Sequence, residues 1–344
     1  MIRRRKLFAY LLLSTVIALG AALAGCDHQK EISEVAAQTP SPAAGESKAP
    51  RLSLPPDSGP RPTFDSSRAM QYVREIVAYG PRPLGSANHK KVETYLDTHL
   101  KGDEVEDDAF TADTPEGKFP VHNVIAKFPG TKDGIIVVAS HYDTNYPLRN
   151  TPYIGANDGA SSSALLLELA NQLRGKKRDG YSVWLVWDDA EEAMKPDTEV
   201  PFLDDSLYGI RHVAEKWEAD GTLRKVKAFI LADMIGDADL NVDRDTNSTA
   251  WLEDVVYEAA TRLGYQSHFF ARTLPGVSDD HIPFVKRGVP SADLIDFDYG
   301  YNDVFWHTTQ DTIDKLNPKS LEIVGGTILE TISILDKMSA LPPK

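Results

Sequence analysis

The sequence predicts a single α/β domain built on a mostly parallel sheet with helices on both faces. Three observations carry that expectation. Short apolar runs recur at 124–128, 135–139, 183–187, 228–232 and 292–297, each bounded by Gly, Pro or Asp. Runs of this length suit strands buried on both sides. Helical periodicities fall between them, and strand alternating with helix favours a parallel sheet covered on two faces. Finally, 42% of the 344 residues are hydrophobic, which is enough for one large core and too much for a disordered chain.

The N-terminus reads as an address. Arg3, Arg4, Arg5 and Lys6 precede an apolar run from Leu7 to Ala24, the charged and hydrophobic parts of a secretory signal. Leu23-Ala24-Gly25-Cys26 resembles a bacterial lipobox, with Cys26 the site of lipidation. The expectation is an exported, membrane-anchored lipoprotein, periplasmic or on the cell surface, whose signal peptide occupies 1–26. An uncleaved membrane anchor is the alternative. Residues 27–62, rich in Pro, Ala, Ser and Glu, lack apolar periodicity and read as a disordered tether. The enzyme domain is then expected over 63–344.

Within that domain, Met70, Val73, Ile76 and Val77 recur at helical spacing until Gly80-Pro81 ends the helix. A second helix is expected over 87–100, and others over 160–174, 207–219 and 249–263. The last covers 319–338, with Leu321, Val324, Ile328, Ile332 and Leu335 on one face.

Charge and composition exclude several function classes. Taking the four N-terminal basic residues from the 37 Lys+Arg leaves 33 against 51 Asp+Glu, a net −18 with no basic cluster past residue 6. Nucleic-acid binding is therefore not expected. One cysteine excludes a disulfide framework and a Cys-rich zinc module. Neither Gly-x-Ser-x-Gly nor Gly-x-Gly-x-x-Gly occurs, so serine-hydrolase and dinucleotide chemistry lack support.

The acidic and imidazole residues fall at strand exits, where ligands bind in such sheets. The run 135–140 leads into His141-Tyr142-Asp143, and Asp143 at i+2 can orient the ring of His141. The turn Gly155-Ala156-Asn157-Asp158-Gly159-Ala160 sets Asp158 at a helix start. The run 183–187 exits into Asp188-Asp189-Ala190-Glu191-Glu192, the run 228–232 into Asp233, and Trp306-His307 precedes the last helix. Taken singly, Asp158 could cap a helix, Glu191-Glu192 could be a solvated face and His307 a structural histidine. Together, so many converging acids need a divalent cation. Imidazole with carboxylate and no thiolate suits zinc. His141, Asp158, Glu192, Asp233 and His307 are the candidate ligands, for one or two ions, with Asp158 as a natural bridge. Glu191 would remain free as general base.

The order His…Asp…Glu-Glu…Asp…His over about residues 68–338 resembles the M28 family of zinc aminopeptidases and its animal-type glutaminyl-peptide cyclotransferase branch. The resemblance implies a mixed, mostly parallel sheet and enzymes acting on peptide or protein N-termini. It assigns Asp158, Glu192 and His307 to the zinc kept in both branches, and His141 and Asp233 to a second zinc used by aminopeptidases. Glu191 matches the base. Asp205–His212, Asp279-Asp280-His281-Ile282-Pro283-Phe284 and Trp306 look like the cyclase branch. By that likeness Asp279 shares a proton network with Glu191 and Asp233, and Trp306 is a pocket wall, with Tyr299 as a further substrate contact. There are departures. No tryptophan follows the glutamate pair at Met194-Lys195-Pro196-Asp197, and the loop 193–204 is longer. Asp293 replaces a histidine after Gly-Val-Pro, the cysteine pair of secreted animal enzymes is missing, and His307–Thr312 reads like an aminopeptidase. The expected function is glutaminyl cyclisation with one zinc. A two-zinc aminopeptidase is the alternative, and a non-catalytic binding module on this fold stands behind both.

Overall fold

A computed structural model describes residues 52–196 and 198–342. The expected signal segment with Cys26, the tether as far as residue 51, and Asp197 lie outside the described residues. No described helix is long and apolar enough to cross a membrane.

Helix α1 (Ser66–Val77) starts where the Asp65 carboxylate accepts from the Arg68 backbone N–H at 2.9 Å, and α2 spans Ala87–His99. The hairpin β1 (Glu104–Thr114) and β2 (Gly117–Phe128) follows, then β3 (Lys132–His141), α3 (Ala160–Leu173), β4 (Tyr181–Asp188), α4 (Tyr208–Asp220) and β5 (Val226–Asp233). Next come β6 (Val242–Asp245), α5 (Ala250–Leu263), β7 (Phe269–Leu274), a single turn α6 (Ile282–Val285), β8 (Ser291–Ile295) and α7 (Pro318–Lys337). The main sheet has the order β1-β2-β4-β3-β5-β8, while β6 and β7 form a separate parallel pair. β4, β3, β5 and β8 are mutually parallel, and β1 and β2 add an antiparallel edge. The expected mixed, mostly parallel sheet is therefore present.

Alternation along the central strands supplies two cores. In β3, Ile136 and Val138 join the core against α1, α3, α5 and α7, while Val137 and Ala139 face the core against α4 and α6. In β5, Ala228, Ile230 and Ala232 take the first side, with Phe229 and Leu231 on the second. Side chains two apart share a face, so each strand serves both cores. The second core is aromatic: Phe284 stacks on Phe229 at 4.2 Å and meets Trp217 edge-on.

Residues 52–55, expected to belong to a free tether, instead lie against the domain. Leu52 and Leu54 pack on the larger core, and the Arg262 guanidinium donates to the Pro55 carbonyl at 2.6 Å. Two apolar side chains among prolines and polar residues show no period, so this packing has no signature in the sequence.

Candidate metal centre

Parallel strands bring their carboxyl ends to one edge, and the site is built there. His141 ends β3 and pairs in register with Asp188 at the end of β4, while Asp233 ends β5 beside Ile295 of β8. Nε2 of His141 lies 3.2 Å from Oδ1 of Asp158 and 3.3 Å from Oδ1 of Asp233, and Nδ1 is 3.4 Å from Asp143. The expected i, i+2 contact is thus present. Asp143 also accepts the backbone N–H groups of Glu191 (3.3 Å) and Glu192 (3.4 Å), tying the β4 exit to the β3 exit.

Asp158 is central. Its Oδ1 faces His141, and its Oδ2 lies 3.3 Å from Nε2 of His307, which is also 3.3 Å from Oε1 of Glu192. Asp158 does not cap α3: Gly159 holds the cap position, with no side-chain bond. That glycine is required, because its φ is +83° and a Cβ would meet Asp143 O and His141 Cε1 at 2.9 Å each. Two groups of possible ligand atoms result, His141–Asp158–Asp233 and Asp158–Glu192–His307, which share Asp158.

Several residues that sequence reasoning missed hold this arrangement. The buried Tyr153 hydroxyl donates to Oδ2 of Asp158 at 2.6 Å, and Asp311 accepts the backbone N–H of Asn157 and of Asp158. Arg82 is fully buried and donates to the carbonyls of Tyr142, Ile154, Gly155 and Asp158. Asn145 donates to Oε2 of Glu192 at 2.8 Å. These partners follow no periodicity and match no motif, so only folding reveals them. Backbone strain gathers at the same edge. Ala190, Met234 and His307 adopt left-handed φ of 58°, 47° and 48°, beside or within the candidate ligands.

The electrostatics of both donor groups favour positive charge among the carboxylates. Burial opposes ionisation of His141 and His307, yet Asp233 and Glu192, their strongest carboxylate neighbours, hold both pKa values well above ordinary. Burial lifts Glu191 well above the carboxylate range, opposed by His141 and reinforced by Glu192 and Asp279. Oε1 of Glu192 is buried without a hydrogen-bond partner among the described residues. An unpartnered carboxylate oxygen beside an imidazole and a second carboxylate fits a zinc-type cation in both atom type and spacing.

A cavity of about 760 Å³ opens over Asp158, Glu191, Glu192, Asp233, Asp279 and His307; His141 does not reach it. Trp306 forms one wall, stacked on His307 with ring centroids 4.4 Å apart and met edge-on by Phe297. Tyr299 corrects an expectation. It is fully buried, stays out of the cavity lining, and its hydroxyl donates to Asp311 at 2.7 Å. Its aromatic ring suggested a substrate contact, but its hydroxyl serves the loop that carries Asp158. Asp293, standing where the cyclase pattern has a histidine, is buried beside His281. Buried His281 lies between Asp245 (3.0 Å) and Asp293 (3.6 Å), one ring nitrogen toward each.

Comparison with known proteins places the chain. The profile of peptidase family M28 matches residues 123–332. A glutaminyl-peptide cyclotransferase-like protein of Bos taurus is 32% identical over 268 residues, covering 70% of this chain and 68% of the relative. A solved glutaminyl cyclase from an Acidobacteriales bacterium is 46% identical, covers 83% of this chain and 99% of its own, and superposes with a TM-score of 0.77. A Zn-dependent exopeptidase from Parabacteroides distasonis is 27% identical over 79% of this chain and 99% of its own, with a TM-score of 0.71.

Proposed function

The chain belongs to peptidase family M28, and from that membership we propose that it is a zinc-dependent glutaminyl-peptide cyclotransferase. It would close an N-terminal glutamine of a peptide or protein to pyroglutamate and release ammonia. The observation that carries this reading is the make-up of the cavity floor. All of Asp158, Glu192 and His307 reach the cavity with Glu191 and Asp279, whereas the second donor group reaches it through Asp158 and Asp233 but not through His141. Cyclisation asks for one ion facing the substrate, and the first group supplies it.

Asp158, Glu192 and His307 would hold the zinc, which supplies Lewis-acid polarisation of the side-chain carboxamide carbonyl. Glu191 takes a proton from the α-amine as its nitrogen bonds to that carbonyl carbon. Glu191 then returns the proton to the carboxamide nitrogen, whose bond to carbon breaks as ammonia leaves. A raised pKa suits a group that must both accept and return a proton. Asp279, buried and beside Glu191, shares the local proton inventory together with Asp233. Trp306 and Phe297 would give the glutamine side chain an apolar wall to lie against.

A second group of donors, His141, Asp158 and Asp233, favours the alternative of a two-ion aminopeptidase. The test is ammonia release from a Gln-initiated peptide, run beside leucine-anilide hydrolysis with the zinc content measured. Ammonia with an intact peptide bond at about one zinc per chain supports the cyclase; anilide cleavage at about two zincs without ammonia overturns it. From the lipobox-like ending alone we also propose lipidation at Cys26, exported to the membrane. Loss of palmitate labelling in Cys26→Ser tests it.

A further inference from the structure

We propose that Asn145 is a positioning residue for the metal: its side-chain amide occupies Oε2 of Glu192 and leaves Oε1 as the single oxygen that this glutamate offers. The inference rests on the reading that Asp158, Glu192 and His307 hold zinc. Asn145 lies two residues beyond Asp143, at the cap position of the short 3-10 turn Tyr146–Leu148. Asparagine is favoured at such positions because its side chain caps the turn. Here it makes no cap bond, and the side chain goes to Glu192 instead, Nδ2 to Oε2 at 2.8 Å. An ionised carboxylate only accepts, so the amide must present its NH₂ group. Both residues are largely buried, at the floor of the cavity that they help to line.

The two oxygens of Glu192 are therefore unequal. Oε2 is held, while Oε1 has no hydrogen-bond partner among the described residues and lies 3.3 Å from Nε2 of His307. The amide nitrogen of Asn145 is also 3.4 Å from each ring nitrogen of His307. Equal distances mean that neither nitrogen is committed to it, so Nε2 stays directed at Asp158 and Glu192. If Glu192 offered both oxygens, it would fill the position that a catalytic zinc keeps open for substrate. Asn145 thus keeps the glutamate to a single bond. Partners of this kind, lying one shell behind the ligands, typically change metal affinity about 10–100-fold.

The test compares the parent chain with Asn145→Ala, each loaded with one equivalent of zinc or of cobalt(II). Zinc affinity, measured by competition with a chromogenic chelator, should fall about 10–100-fold in the variant. The visible cobalt band should weaken as the coordination number rises above four. A merely structural residue would not move that spectrum. An unchanged cobalt spectrum overturns the proposal, whatever the affinity does. Melting of the metal-free proteins checks the fold; if Asn145→Ala fails to fold, Asn145→Ser is read by the same criteria. A parent chain that takes up no zinc or cobalt would instead overturn the metal reading itself.

Discussion

Raising the pH should weaken this fold through one buried histidine. His89, on α2, is 2% exposed, with Nε2 2.6 Å from Oδ1 of Asp189 and Nδ1 3.1 Å from Oε1 of Glu93. Burial opposes its charge, but the Asp189 carboxylate and then Glu93 overcome it and push the pKa from 6.5 to about 10. A folded pKa above the unfolded one means that the extra stability is complete below about pH 6.5 and is lost as pH rises through 10. At about 1.4 kcal/mol per unit, the difference corresponds to roughly 5 kcal/mol, counted once for the whole His89–Asp189–Glu93 cluster. About 2 kcal/mol should go between roughly pH 7 and 8.5. The assay is urea unfolding across that range for the parent and for His89→Gln, which carries no titrating ring. The parent should lose stability with pH more steeply than the variant. Parallel losses would refute the assignment of charge to His89.

Three further outcomes follow from the site and the cores. Tyr153→Phe removes the 2.6 Å donor to Asp158 and should lower zinc affinity about 10–100-fold, read by chelator competition. Glu191→Gln should cut ammonia release by about 10²–10⁴-fold or more, with zinc content by elemental analysis unchanged. Phe284→Ala empties a fully buried ring stacked on Phe229 and should cost about 3–5 kcal/mol in chemical denaturation.

The sheet was legible because its central strands are apolar on both faces, as with 135–139 in β3 and 228–232 in β5. β1 was not, because it is acidic and alternates irregularly between exposed and buried positions at the sheet edge. β7 is largely exposed along its middle and α6 is one turn long, so neither has a period to read. Among the site residues, those at strand exits could be found from their neighbours in sequence: His141, Glu191, Glu192 and Asp233. Asn145, Tyr153 and Arg82 could not, since their partners are fixed by tertiary approach across 47, 5 and up to 76 residues. The five-residue step of Tyr153 is short, but nothing in a sequence marks a tyrosine hydroxyl as aimed at a carboxylate. Tyr299 shows the converse: an aromatic near a site is as ready to brace a loop as to meet a ligand.

Arg82 bears on the order of events in the life of this chain. Burial works against its guanidinium charge and lowers its pKa, while Asp158, Asp311 and Asp143 oppose that shift and backbone carbonyls accept its N–H groups. Arg82 thus sets one positive charge behind the turn that carries Asp158, bonded to backbone carbonyls rather than to the carboxylates. A zinc finger must wait for its metal in order to fold. With an arginine wired into the carbonyls of the Asp158 turn, this chain is expected to differ: chelated protein should still melt cooperatively, and a non-cooperative melt would refute that.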